Sequence, residues 1–334
     1  KWSPTDALQG YYLASNDCND GLKANYQRLR VSQKLVGSVD AAFYRLLSLQ
    51  ECLPLAERLM KIRTNVAKEA RDLRQDRLND VEDYLRTEEK ASIARHRLTR
   101  IRVELERQKI ILASLMGLLP QNCPQGVFVA GELAQPAFKI CTTDLEMQAL
   151  SYRPEAQIEG LNQVNSVNDL RRTTVKYFPK ASTFYRYGED LGYKRADRKI
   201  NDFGLLFYLD LVDWFANLKE RAGFTAKNIK AEQRMTATAL AIATEVRMAV
   251  LRCMEADEEL QTIHASLERA RKQLQLAKGK AKVGVLENVA VEDAQGNVLQ
   301  EDIERIRSIG EGNARLAELQ CAVGINYCES LAQR

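Results

Sequence analysis

The chain has 334 residues, 45% of them hydrophobic and 28% charged, and a formal net charge of +4 drawn from interspersed signs. That balance excludes a disordered chain and gives no pull toward nucleic acid; 7% aromatics with 17 glycines and 7 prolines argue for long helices over an all-β fold. No stretch reads as a membrane-spanning helix, because the most apolar run, 110–119, is about half of the ~20 residues such a span needs.

Lys1-Trp2-Ser3-Pro4 lacks the basic start and apolar core of a signal peptide, so the chain reads as cytosolic or as beginning downstream of a removed segment. A turn leading into a helix is expected at Pro4 and Thr5-Asp6. From Asp20 a helical stripe of Leu22, Tyr26, Leu29, Val36, Phe43 and Leu47 leads to Pro54, and helical composition continues through Leu59, Ile62, Val66 and Leu73. Residues 74–83 lose the stripe and read as a turn. A second helix then carries Ala94, Leu98, Ile101, Leu105, Gln108, Leu112, Leu115 and Leu119, and stops at Gly117 and Pro120. Residues 121–152 form a linker, or equatorial segment, with a candidate short strand at Val127-Phe128-Val129.

Pro154 stands where a helix can start without its amide proton, and the helix stops at Phe178, before Pro179. Two strands follow within 180–213. The first sets Thr183, Tyr185 and Tyr187 on one face. After a polar, basic loop the second, 202–213, sets Phe203, Leu205, Phe207, Leu209 and Leu211 on one face at period two. Its length suits a tilted strand of a membrane barrel, which needs roughly 9–11 residues. An amphipathic hairpin packed on a soluble core is the alternative.

The strongest periodicity comes next. Met235, Ala239, Ile242, Val246, Ala249, Cys253, Ala256, Leu260, Ile263, Leu267, Ala270, Leu274 and Ala277 alternate by four and three without a slip, the seam of a left-handed coiled coil. A turn near 283–291 leads to a returning helix with Leu299, Ile303, Ile306, Leu316, Leu319 and Val323, ending at Gly324. His96 and His264 read as surface residues. Seven scattered cysteines read as packed thiols; Cys123 and Cys141 flank the linker, and spacing leaves their pairing open. No nucleophile–base pair, metal constellation or phosphate loop is evident, so neither an enzyme nor a cofactor is expected.

The two halves repeat. Gln27-Arg28 corresponds to Gln233-Arg234, Val81-Glu82-Asp83 to Val291-Glu292-Asp293, and Met116-Gly117 to Val323-Gly324, each pair just over two hundred residues apart. The expected units are a first repeat over 1–120, shortened at its start to the end of a strand region plus a helical hairpin with its tip near 74–83, and a second repeat over 153–334. The fold class is mainly α with a small β part: long antiparallel coiled-coil hairpins plus one β-hairpin.

The Arg153-Pro154-Glu155 opening, the helix stopped by Pro179 before a strand, the Val283-Gly284-Val285 turn and the twofold repeat resemble the TolC family of outer-membrane efflux proteins, over nearly the whole chain and lacking an amino-terminal part. The resemblance implies a homotrimer whose β-hairpins build one transmembrane barrel in the outer membrane of a Gram-negative bacterium. The helices then form a hollow cylinder across the periplasm. It implies a passive channel of a tripartite efflux pump or type I secretion system, partnered by a periplasmic adaptor and, indirectly, an inner-membrane transporter.

By that resemblance Val283, Gly284 and Val285 form the adaptor-contact tip, with Val in place of the family's Leu; Gly284 is equally explained as a helix cap. Residues 73–75 depart from the tip motif. The acidic pore constriction maps to Asp293, with Glu292, and in the other half to Asp80, while Ala290 replaces one family carboxylate. Acidic residues early in a helix are also favoured by its dipole alone. Tyr185, Tyr187, Phe207, Tyr208 and Trp214 are candidate membrane-interface aromatics beside outer-membrane lipid, or ordinary packing at a helix–strand junction. A periplasmic or soluble coiled-coil adaptor is the competing reading; it explains the heptads but not the duplication.

Overall fold

The computed structural model describes residues 3–76, 81–118, 127–138, 142–178, 180–190, 198–208, 211–283 and 288–324. Six helices and two strands appear in the order α1 (Pro4–Asp76), α2 (Val81–Leu115), α3 (Thr142–Tyr152), α4 (Pro154–Val175), β1 (Lys180–Asp190), β2 (Arg198–Tyr208), α5 (Leu211–Lys282) and α6 (Asn288–Val323). Helix lengths repeat: 73 and 35 residues for α1 and α2, 72 and 36 for α5 and α6. Two compact units result, Lys1–Val31 with Gln148–Thr244 and Ser32–Met147 with Glu245–Arg334.

Four local expectations change. Helix replaces the turn at Pro4 and the strand end expected near the start of the chain: Pro at the first helical position is pre-set for α-structure. Pro54 lies inside α1 on its exposed side, where the lost hydrogen bond is least damaging. The 127–129 strand does not form; 127–138 has neither helix nor strand. The second strand ends at Tyr208 and Leu211 already belongs to α5, because 205–212 is apolar at nearly every position and such a continuous run fits a helix as well as a strand.

In the first unit, α4 runs antiparallel to the beginning of α1 across a polar seam. Asn16 Nδ2 donates to Asp169 at 3.0 Å, Asn19 Nδ2 to Asn165 at 2.8 Å and Lys23 Nζ to Asn162 at 3.0 Å. Asn168 Nδ2 completes the ladder with Asn16 Oδ1 at 3.0 Å and Ser15 Oγ at 3.2 Å. Buried Arg153 pairs with Glu155 at 3.1 Å, and Arg30 reaches the same carboxylate at 3.0 Å. Burial pushes Glu155 up, but those guanidinium contacts outweigh it and hold the carboxyl below its ordinary value.

β1 and β2 form a two-stranded antiparallel sheet with Tyr185 opposite Phe203, Thr183 opposite Leu205 and Ala181 opposite Phe207. On the other face the Phe184 ring covers Gly204, where a Cβ would stand 2.5 Å from it. Glycine is needed at that close approach.

The second unit holds the apolar core: Leu46, Cys52, Leu59, Leu98, Ile101 and Ile303 are all buried. The heptad seam packs as its period demands over 242–270, with Ile242, Val246, Cys253, Leu260 and Leu267 buried, whereas Met235 is exposed. α6 meets α1 through small residues. A Cβ on Gly310 would stand 2.3 Å from Ser48, and one on Gly37 of α1 2.7 Å from Cys321. Each reports backbones closer than side chains allow. Cys52 and Cys321 use that closeness, and Cys253 of α5 does the same against α6: each donates to a carbonyl of a neighbouring helix at 3.5 Å. Burial pushes the Cys52 thiol up to about 12 and that of Cys253 to about 11, so both stay protonated at neutral pH. α6 ends in a left-handed residue, Gly324 at φ 81°, whose carbonyl accepts from Gln33 Nε2 at 3.2 Å.

Candidate functional site

Near the ends of the second unit's helices, three cross a single carboxylate. Asp293, in the second turn of α6, accepts from Arg63 Nη1 of α1 and from Lys90 Nζ of α2 at 2.9 and 3.0 Å. Arg63 also donates to Asn297 Oδ1 at 2.6 Å. Gly296 makes the room: a Cβ there would stand 2.9 Å from the guanidinium carbon. Arg63 keeps 4% of its side-chain exposure and Asp293 26%, so the cation is enclosed while the carboxylate still touches solvent. The resemblance singles out Asp293 for a pore role, and the structure shows it paired with two cations; Arg63, Lys90 and Asn297 carry no motif, being single polar positions on long helices.

Further along the same unit lies a polar cleft of about 600 Å³ with Ser48, Gln108, Ser308 and Glu259 on its walls. Arg45 is forked onto Glu311, at 2.9 and 3.1 Å, and reaches Glu318 at 2.8 Å. Arg315 adds a 3.1 Å bond to Glu311. Burial raises the Glu311 carboxyl, and the hydrogen bond and charge of Arg45, with Arg315, outweigh it and hold it low; Glu311 in turn holds the Arg45 guanidinium above its ordinary value.

Both flanking helices carry a second apolar stripe, turned away from the packed one. On α2, Ile93, Val103 and Ile110 are exposed, while Ala94, Leu98, Ile101 and Leu105 are buried. On α5, Leu251, Met254 and Leu276 are exposed, opposite buried Cys253, Ala256 and Leu260. A helix apolar on two opposite sides needs a neighbour on each.

The hairpin repeats this at larger scale. Tyr185, Tyr187, Phe203, Leu205 and Phe207 share one face and all are exposed, Phe203 at 73% and Phe207 at 71%. Each strand has 11 residues. Tyr208 and Trp214 lie on β2 and α5, but their side chains fall outside the described residues. So do Gly284, Val285 and Asp80, and Cys123 with Cys141. Val283 is described and is 77% exposed just past the end of α5; Glu292 is half-buried beside Asp293. Among the described residues no helix is long and apolar enough to cross a membrane, which says nothing of a β-barrel.

A model of the outer membrane efflux protein family matches residues 180–324. A comparison with curated proteins matches none. Among solved structures, a membrane protein from Pseudomonas aeruginosa superposes with a TM-score of 0.72 at 17% identity, covering 97% of this chain and 76% of that one. VceC, an outer membrane protein of Vibrio cholerae, gives 0.71 at 12% identity over 98% and 78%. The open state of the MtrE outer membrane channel of Neisseria gonorrhoeae gives 0.67 at 16% over 94% and 71%. At such identities the likeness is one of fold, and it extends along nearly the whole chain. From β1 to the end of α6 the sequence itself matches the outer membrane efflux protein family model, and nearly the whole chain is similar in fold to these solved membrane proteins.

Proposed function

We propose that the protein is the outer-membrane duct of a tripartite efflux pump or type I secretion system, working as a homotrimer with a large periplasmic part. The observation that carries this reading is the hairpin. Two strands cannot close on themselves, and one whole face is uncovered aromatic and aliphatic surface. In water such a face is an aggregation hazard, and in lipid open strand edges are not tolerated, so further strands must complete it. Three copies supply a ring. The second apolar stripes of α2 and α5 support the same closure, each copy meeting the next.

In this reading the duct is passive, and an inner-membrane transporter supplies energy through a periplasmic adaptor. The adaptor docks at the tip formed by Val283, Gly284 and Val285. Asp293 and Glu292, with Asp80 in the other half, set the narrow acidic end of the pore. Opening means that α1 and α2 near Arg63 and Lys90 part from α6 near Asp293. Tyr185, Tyr187, Phe207, Tyr208 and Trp214 lie toward the lipid boundary.

Fractionation tests the reading. Full-length protein is expected in the outer membrane as a detergent-resistant trimer that conducts ions in a planar bilayer. Recovery as a soluble monomer would favour the coiled-coil adaptor instead.

A further inference from the structure

The cleft beside Arg45 does not end at Glu304. A second hollow of about 410 Å³ continues it along α2, and the two share Leu49, Glu104, Glu304 and Arg307. One groove therefore runs over α1 between α2 and α6. Its floor in the second hollow is apolar: Leu49, Ile101 and Ile303 are buried, while Ile93 and Val103 stand exposed at the rim. A hollow of this size, with an apolar floor and a few polar groups, has the form of a small-molecule site.

Those polar groups are mostly cationic, and their charge is not fully neutralised within the protein. Arg97 puts Nη2 on Glu304 at 3.1 Å, but its Nη1 is enclosed and has no hydrogen-bond partner among the described residues. Arg100 of α2 and Arg307 of α6 line the same hollow, and no carboxylate of the described residues pairs with either. The groove's own carboxylates are engaged: Glu304 by Arg97, and Glu104 by Gln108 Nε2 at 2.8 Å and Arg107 at 3.5 Å. In the adjoining cleft Ser308 is 5% exposed, and its buried Oγ also lacks a partner among the described residues. Enclosed polar atoms left unpaired are costly, so each marks a place where a partner fits.

We propose that this groove binds a small amphipathic anion. A carboxylate or sulfonate is held between Arg100 and Arg307 with Arg97 Nη1 beside it, and an apolar body lies on Leu49, Ile101 and Ile303. The planar guanidinium fork suits such oxyanions, which take two parallel hydrogen bonds. An inorganic anion leaves the floor uncovered, and a neutral apolar molecule leaves the guanidinium groups unpaired. Only a ligand with both parts answers both halves of the groove. The site lies within the second unit and needs no pore; whether a neighbouring copy roofs the Ile93–Val103 rim rests on the channel reading.

The test uses the full, assembled protein in a non-ionic detergent, with naphthalene-1-sulfonate as the probe and isothermal titration calorimetry as the readout. One saturable site per chain is expected. Arg100→Gln combined with Arg307→Gln, both at exposed positions, is expected to weaken it roughly tenfold or more. Inorganic sulfate and the uncharged 1-naphthylmethanol are each expected to bind roughly tenfold more weakly than the sulfonate. Hydrogen exchange with the probe bound is expected to show new protection at 93–104 and 303–308. No saturable binding, equal binding by the native protein and the double variant, equal binding of sulfate, or protection only elsewhere would overturn the site. So would binding seen only after the assembly is dissociated, since a second copy would then be the groove's occupant. Binding with these properties by a protein that forms no pore would sink the channel reading and leave the site standing.

Discussion

Asp293 on α6 closes over Arg63 on α1, and it is the ionic partner of a guanidinium that is almost fully enclosed. Removing Asp293 leaves a buried charge whose remaining partner among the described residues is Asn297 Oδ1. Asp293→Ala is expected to cost about 3 kcal/mol, the lower end for a broken buried pair. Arg63→Met combined with Asp293→Leu is expected to cost less than Asp293→Ala alone. Urea unfolding measures both. If the duct reading is right, Asp293→Ala also changes closed-state conductance or cation block in a planar bilayer; an unchanged pore removes that role.

The contact between Gly310 and Ser48 makes a steric prediction. A methyl group at 310 has no room, since its position falls 2.3 Å from the Ser48 Cβ and Oγ. Gly310→Ala is expected to lower stability by about 1–3 kcal/mol through overpacking, even though alanine is the better helix former. Adding Ser48→Gly should recover at least half of the loss. A shift in the urea midpoint at unchanged slope is the measurement, and full tolerance of Gly310→Ala would contradict the close α1–α6 approach.

Much of this architecture was legible because it is periodic. The seam from Ile242 to Ala270, with only Ile263 half-buried, and the stripe from Ala94 to Leu112 are buried where four-three spacing puts them. Reading failed where one pattern served two structures, as with Leu211, whose apolar surroundings suit a strand's end and a helix's beginning alike. It failed again where structure comes from contact and not from local preference: Val127 to Val129 looked like a strand but is held by helices distant in sequence. Arg63 and Gly296 were invisible for the same reason, since only folding brings α1 to α6.

Acid should loosen the cleft. Glu311 titrates below its ordinary value in the folded chain, so its pairing with Arg45 and Arg315 contributes fully above the unfolded carboxyl value of roughly 4.3 and is lost as pH falls through the lower folded value. Glu155, held low beside Arg153 and Arg30, behaves in the same direction. Stability is therefore expected to drop below about pH 4 and to drop less in Glu311→Gln, which is weaker at neutral pH. Unfolding midpoints between pH 7 and pH 3 check this; a parallel decline in both proteins would refute it.

The hairpin supplies a test in lipid. Arginine in place of Phe203 or Leu205 is expected to cost roughly 2–4 kcal/mol if that position sits at mid-membrane, with less cost toward Tyr187, nearer the strand end. Arginine at Asp202, on the opposite face, is expected to be tolerated. Assembly into outer-membrane trimers, scored by gel mobility without heating, separates the faces; equal tolerance on both would argue against a lipid-facing side.

The amide ladder between α1 and α4 has a mechanical consequence. Asn16, Asn19 and Lys23 find Asp169, Asn165 and Asn162 one by one, so a slide of a single residue unmakes every bond at once, whereas an oily seam would let the helices creep. Along that seam α1 behaves as a keyed shaft: free to flex and roll slightly, but forbidden to travel.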